Sequence, residues 1–210
     1  ASKQLVATLS RHKGEIESVR FDPEMRYVCT GGQDGKGYWW ALKTGRVAFS
    51  LPPHIDFISS VAFSRNGQWI ATGSYDRVIH VVKLSSLSHP MVLQGHTGVI
   101  VKMVFLPDAR LLSVDKEGNL IVWNLLNGKI IKRLSKMNDE VTSMTLCSDY
   151  RFIFVGTKLG YIGLYDLSTF ELIRHRYIKE NEPVSSIAFW SNPHRLAVGT
   201  AGGNVRIYSL

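Results

Sequence analysis

The amino-acid sequence predicts an all-β fold made of five copies of one small unit. The phenylalanines of "VRFDPE", "VAFSRN", "MVFLPD" and "IAFWSN" are Phe21, Phe63, Phe105 and Phe189. Leu146 of "MTLCSD" completes the series, with spacings of 42, 42, 41 and 43 residues. A period in this range marks a solenoid or a propeller. Within each period, short runs rich in β-branched and aromatic residues are bounded by Gly, Asn and Asp, as strands joined by turns are. No segment sustains the apolar spacing of an amphipathic helix, which sets the helical solenoids aside.

Each element follows from that pattern. Repeat 2 reads "ISSVAFS", "RNG", "QWIATGS", "YDR" and "VIHVVKL", then a less regular fourth stretch to "HPMVL". Four short strands per repeat are the blade of a β-propeller, with antiparallel pairing across each turn. The repeats occupy approximately residues 10–50, 51–93, 94–134, 135–177 and 178–210, within one domain. Residues 4–9, "QLVATL", form a further strand-like run ahead of repeat 1, whereas repeat 5 stops after its third strand.

Composition narrows the function classes. Apolar residues make up 45% and charged residues 20% of the chain, so a packed core is expected and disorder is not. The start, "ASKQLVATLSRHKG", lacks a long apolar run, so neither a signal peptide nor a membrane partner is expected. Cys29 and Cys147 fall in corresponding regions of different repeats. Buried reduced thiols there imply an intracellular, cytoplasmic or nuclear, setting. The net charge of +8 suits an acidic partner.

The motifs resemble those of the WD40 repeat family across essentially the whole chain. Repeat 1 has His12, "IESVRF", "CTGGQD" ending at Asp34, and "GKGYWWAL"; repeat 2 has His54, "ISSVAF", "ATGSYD" ending at Asp76, and "RVIHVVKL". Repeat 3 has "GHTGVIVKMVF", "LLSVDKE" and "GNLIVWN". The His-to-acid spacings are 22, 22 and 21 residues for His12–Asp34, His54–Asp76 and His96–Glu117. The resemblance implies a buried His, Ser or Thr, Asp and Trp network in each blade. By position these are His12, Thr30, Asp34 and Trp40, then His54, Thr72 and Asp76 with Val82 in the Trp place, then His96, Ser113, Glu117 and Trp123. Repeats 4 and 5 have lost the pattern jointly, with Met137, Val155, Leu159 and Tyr165, and with Glu180, Val198, Gly202 and Tyr208. Joint loss is nearly neutral, where single loss would strand a buried partner. The resemblance also implies closure by an N-terminal strand, with residues 4–9 beside 184–210 in a five-bladed ring. The alternative is five blades of a seven-bladed ring, whose open edges would favour oligomers.

Catalysis is not expected. A Ser/Thr–His–Asp set resembles a triad, yet it recurs with Trp in successive repeats and belongs beneath the surface. Gly31, Gly32, Gly35 and Gly37 lie between strands with no helix to follow, so they read as a tight turn rather than a phosphate loop. His80 and His175 are lone residues, and the histidines and cysteines show no metal-ligand spacing, so no metal or cofactor is expected.

Binding remains. The resemblance implies a partner surface on side chains flanking the innermost strand and just before the acid. These are Glu15, Glu17 and Gln33; Phe57, Ser59 and Tyr75; Val99, Val101 and Lys116; Glu140, Thr142 and Lys158; and Pro183, Ser185 and Ala201. Phe57, Tyr75, Val99 and Val101 would make one apolar patch for a protein or peptide partner. The rival surface is the opposite face, where Arg26, Arg65, Arg110, Arg151 and Arg195 recur at the first turn, beside Lys43, Arg46 and Lys129. It would suit an acidic or nucleic-acid partner in an RNA-processing assembly.

Overall fold

A computed structural model describes residues 5–177, 182–192 and 194–209. Every regular element among them is a strand, and the strands form five antiparallel sheets in sequence order. Sheet 1 holds β1 (Ile16–Phe21), β2 (Tyr27–Gly32), β3 (Gly37–Ala41) and β4 (Arg46–Ser50). Sheet 2 holds β5 (Ile58–Phe63), β6 (Trp69–Ser74), β7 (Ile79–Lys83) and β8 (Ser86–Leu93). Sheet 3 holds β9 (Ile100–Leu106), β10 (Arg110–Asp115), β11 (Leu120–Asn124) and β12 (Ile130–Arg133). Sheet 4 holds β13 (Val141–Leu146), β14 (Phe152–Thr157), β15 (Tyr161–Asp166) and β16 (Glu171–Tyr177). Sheet 5 holds β17 (Val184–Ser191), β18 (His194–Thr200) and β19 (Val205–Ser209). This is the blade architecture of a β-propeller.

The chain divides into two compact units, Ala1–Gly95 with sheets 1 and 2, and His96–Leu210 with sheets 3 to 5. In both, the second strand of a sheet is the most buried. All six residues of β6 are buried, as are five of six in β2, β10 and β14. A strand covered on both faces reads as a continuous apolar run, whereas the outermost β4 and β12 alternate or stay exposed. In the first unit, Cys29 of repeat 1 packs with Leu51, Ile58, Val61, Ile70 and Val82 of repeat 2. In the second, Leu112, Val114, Leu120 and Val122 pack against Val141 and Met144 of the following sheet. Phe154 packs in the same way with Val184 and Ile187.

Three expectations change here. Of residues 4–9, Gln4 lies outside the described residues and 5–9 form no strand; Leu9 packs beside Val28, Tyr38 and Trp40 of repeat 1, and sheet 5 has three strands among the described residues. A short apolar run supplies β propensity, but pairing needs a partner edge. The glycines divide between two roles. Gly35 is a turn residue with φ of +69°, whereas Gly31 and Gly37 lie inside β2 and β3. A Cβ on Gly31 would come within 2.4 Å of the Ile58 side chain, so that glycine is required by close sheet packing. The cysteines are not equivalent: Cys29 is central in β2, whereas Cys147 follows β13. Both are free and buried, and burial pushes both thiols up, Cys147 to about 12.

Candidate functional site

The polar networks come first, because they fix the turns that carry the candidate surface. In repeat 1, His12 Nδ1 lies 2.9 Å from Asp34 Oδ1, and His12 Nε2 lies 2.8 Å from Thr30 Oγ1. The Trp40 indole N–H donates to the same Thr30 oxygen at 2.9 Å. A carboxylate only accepts, so Nδ1 carries the proton and Nε2 accepts from the threonine hydroxyl. One directed chain results, running from Trp through Thr and His to Asp. Repeat 2 repeats it through Thr72, His54 and Asp76, with distances of 2.9 Å at both histidine nitrogens. Val82 there joins the core in place of an indole. Burial pushes the Asp34 and Asp76 carboxyls up. Hydrogen bonds from backbone N–H groups and from the histidines outweigh that and hold both below the usual carboxylate range. His54 is held below its usual value, by burial and by the stacked His80 ring at 4.1 Å, against the pull of Asp76.

Repeat 3 requires a correction: its acid is Asp115, not Glu117. His96 Nδ1 lies 2.9 Å from Asp115 Oδ2, His96 Nε2 lies 2.6 Å from Ser113 Oγ, and Trp123 donates to Ser113 at 2.7 Å. The span from His to hydroxyl is one residue shorter than in repeats 1 and 2, and Asp115 occupies the strand-end position of Gly32 and Ser74. A carboxylate on that strand end reaches the ring, leaving Glu117 on the surface as acceptor for Thr97. Asp115 also accepts from the Gly98 and Asn119 backbones and the Asn119 side chain. Burial raises its carboxyl, but these bonds outweigh it and hold it well below the usual range.

Repeats 4 and 5 take different routes. Met137, Val155 and Tyr165 join the apolar core of repeat 4, Tyr165 donates its hydroxyl to Ser135 O at 2.9 Å, and Leu159 stays on the surface. Repeat 5 has not lost a network but built another. The buried Glu182 carboxylate accepts from Thr200, from Asn204 at 3.3 Å and from Arg206 Nη2 at 2.9 Å. Glu180 lies outside the described residues, Val198 is core, Gly202 is exposed and Tyr208 packs beside that core. The pairing of Glu182 with Asn204, 22 residues apart, repeats the His-to-acid interval and was the available signal.

The triad-like geometry has no access to substrate. Ser113 is fully buried, and its oxygen already receives the Trp123 indole. Among the described residues, no cluster of His, Cys, Asp and Glu could hold a metal.

The candidate surface is positioned by a backbone bond made five times. Gln33 N donates to Glu15 O, Tyr75 N to Phe57 O, Lys116 N to Val99 O, Lys158 N to Glu140 O, and Ala201 N to Pro183 O, all at 2.8–2.9 Å. The third member of each predicted set is the residue skipped by the register shift in the first strand: Glu17, Ser59, Val101, Thr142 and Ser185. A β-bulge re-aims a side chain at a sheet rim, so one mechanism presents all five sets.

The side chains then differ by unit. In the first unit, Phe57 and Tyr75 lie with ring centroids 5.7 Å apart and are exposed, next to the fully open Ile55. Gln33 donates to Glu15 and Glu17 at 3.2 and 2.7 Å, and β1 runs beside β5, which sets this acidic pair next to the aromatic one. In the second unit, Lys116 and Lys158 clamp Glu140 from either side at 3.2 and 3.1 Å. They hold its carboxyl below the usual range against the effect of burial. Val99, Lys116, Met137 and Glu140 line a hollow of about 640 Å³ there. Val101 packs against the core of that unit, so it does not extend an apolar patch. Ser59 and Thr142 hydroxyls are turned back onto strand carbonyls. Within the first unit the exposed apolar side chains of the predicted patch are Phe57 and Tyr75, with Ile55 added, while Val99 and Val101 belong to the second unit.

On the opposite turns, Arg26 pairs with Glu24, Arg110 with Asp108 at 3.6 Å, and Arg151 sits over the Phe152 ring, while Arg195 is exposed. Arg26 and Arg65 line a hollow of about 440 Å³ with Tyr27, Trp39 and Asn66. The Trp39 indole N–H is buried without a hydrogen-bond partner.

The model of the family described as "WD domain, G-beta repeat" matches residues 3–40, 45–83 and 170–209, more than half of the chain. One of those matches covers repeat 5. The chain is 24% identical over 218 residues to a guanine nucleotide-binding protein subunit beta of Zea mays, covering 97% of this chain and 57% of that protein. It is 22% identical to subunit beta-1 of Nicotiana tabacum, covering 96% and 58%. It is 23% identical to a periodic tryptophan protein 2 homolog of Schizosaccharomyces pombe, covering 92% and 25%. The chain spans little more than half the length of the plant relatives it matches.

Proposed function

Because the chain belongs to the WD40 family, we propose that it is a non-catalytic docking module that takes a protein or peptide on the Phe57–Tyr75 surface. The paired exposed rings carry this reading: Phe57 and Tyr75 stand open together, with the exposed Ile55 two residues before Phe57. Aromatic anchors with a polar surround are the usual composition of a binding hot spot. Glu15 and Glu17 beside them favour a partner segment that combines an apolar residue with lysine or arginine. The Zea mays relative is by name a subunit, and service within an assembly fits the same surface. Two free buried thiols support an intracellular setting. The test is affinity capture with the chain and with the Phe57→Ala, Tyr75→Ala double variant, followed by mass spectrometry. Loss of specific partners is expected, and retention of every partner would refute the reading.

A second reading rests on the hollow between Arg26 and Arg65. The Trp39 indole N–H and the Tyr27 and Trp39 rings suit a group that stacks and accepts a hydrogen bond, such as a base of single-stranded RNA. Arg26 and Arg65 share that lining with the carboxylates of Asp22 and Glu24. Anisotropy titration of labelled RNA against salt decides it. Binding should fall steeply as salt rises, and no binding at low salt removes the reading.

A further inference from the structure

Between Gly118 and Asn138 the chain has four cations, Lys129, Lys132, Arg133 and Lys136, and no acid. They fall on β12, the outermost strand of sheet 3, and on its flanks. Every residue from Leu126 to Lys136 is exposed there except Gly128 and Leu134. Lys129, Lys132 and Lys136 make no ion pair among the described residues. The adjoining strand β11 is uncharged. The neighbouring turn, tied on by the Leu125 N–H donating to Ala109 O at 2.8 Å, brings Asp108, which Arg110 pairs at 3.6 Å. Beyond Lys136, the Asp139 carboxylate accepts from the Glu140 and Leu159 N–H groups at 2.7 and 2.8 Å. The cations of β12 are therefore left without a counter-charge of their own.

Charge is half of this surface. Leu126, Ile130 and Ile131 are 77%, 36% and 44% exposed. Leu126 is fixed at the tip of the β11–β12 hairpin. Its N–H donates to Asn124 Oδ1 at 2.8 Å, and Gly128, with φ of +73°, donates to Asn124 O at 2.8 Å. Leu125 beside it is buried, so the turn sends one leucine into the core and holds the other outward. Lysines alone on an outer strand guard against unwanted pairing. Three open aliphatic side chains on the same edge work against that purpose, and the outer strand β8 has no lysine, arginine or acid.

We infer that the β12 edge of sheet 3 is a peripheral contact for an anionic lipid bilayer. Leu126, Ile130 and Ile131 enter the boundary between headgroups and acyl chains, and the four cations face the anionic headgroups. Nucleic acid matches this edge less well, because no Phe, Tyr or Trp lies between Asn124 and Asn138 to stack a base. The expectation of no membrane partner rests on the lack of a long apolar run, which governs spanning and not surface contact.

Co-sedimentation with phosphatidylcholine vesicles, with or without about one third phosphatidylserine, tests this. The chain should sediment with the mixed vesicles, not with phosphatidylcholine alone, and should be released as salt rises. Lys132→Gln with Arg133→Gln should weaken binding about 30-fold, the worth of two cations at such a surface. Leu126→Ser with Ile131→Ser keeps the charge and should weaken binding about tenfold. Lys43→Gln with Arg46→Gln lowers the net charge equally on another sheet and should lose far less. All six positions are exposed, and circular dichroism confirms the fold of each variant. No binding to mixed vesicles at low salt overturns the inference, as does full binding by either β12 variant. An equal loss in the Lys43, Arg46 variant overturns it too, because net charge alone would then explain the contact. Single-stranded RNA bound through the β12 cations, with vesicles left unbound, would assign the edge to nucleic acid instead. The Phe57→Ala, Tyr75→Ala variant should bind vesicles as the natural chain does, so the two surfaces stand or fall separately.

Discussion

Asp115 and Glu117 stand two residues apart at the end of β10, and their surroundings give them opposite weight. Asp115 accepts from His96, Asn119 and two backbone groups in a buried site, whereas Glu117 accepts one exposed hydroxyl. Replacing Asp115 with alanine strands several buried donors, so a loss of about 3 kcal/mol or more is expected in chemical denaturation. Glu117→Ala should stay within about 0.5 kcal/mol, as surface changes do. Similar destabilisation by both substitutions would return Glu117 to the network.

Protonation acts on the same groups. Asp34, Asp76 and Asp115 titrate lower in the folded chain than their usual value of about 4. Their stabilisation is complete above that value and is lost as pH falls through the lower native ones. His54 also titrates below its usual value of about 6.5, so the unfolded chain takes up that proton first. Its contribution is full above about 6.5 and declines as pH drops below it. Urea midpoints should therefore fall in two stages, a mild one beginning near pH 6.5 and a steeper one below about pH 4. A midpoint that rose between pH 6.5 and 5 would contradict the His54 environment.

At the scale of the element, glycines on equivalent strand positions have different surroundings. Gly31→Ala and Gly156→Ala force a methyl group into a neighbouring sheet and should destabilise by about 1–3 kcal/mol. Gly199→Ala meets nothing nearer than 3.8 Å and should be neutral or stabilising in dilute solution.

The four-strand pattern of each repeat was legible in the sequence, since period, alternation and turn residues all point one way. The repeat 1 and 2 networks were legible too, because His12, Thr30 and Asp34 keep the spacing of His54, Thr72 and Asp76. Asp115 was hidden by a single missing residue before Ser113. Glu182 was hidden because it stands two positions from the histidine anchor and answers to a different set of partners.

For the molecule as a whole, the charge of +8 sets the salt response of an anionic partner. RNA held near Arg26 and Arg65 should weaken as salt rises, because released counterions then favour the complex less. An anisotropy series that stayed flat or rose with salt would remove that assignment.

The fivefold backbone bond on the candidate rim has an evolutionary corollary. At residues 33, 75, 116, 158 and 201 the fold asks only for an N–H group, and the side chains are Gln, Tyr, Lys, Lys and Ala. Any residue except proline meets that demand. Substitution there can re-specify what is recognised while the scaffold's folding free energy stays almost fixed. A new partner can thus be explored without first crossing a stability threshold, and the five rim positions are natural sites for a randomised library.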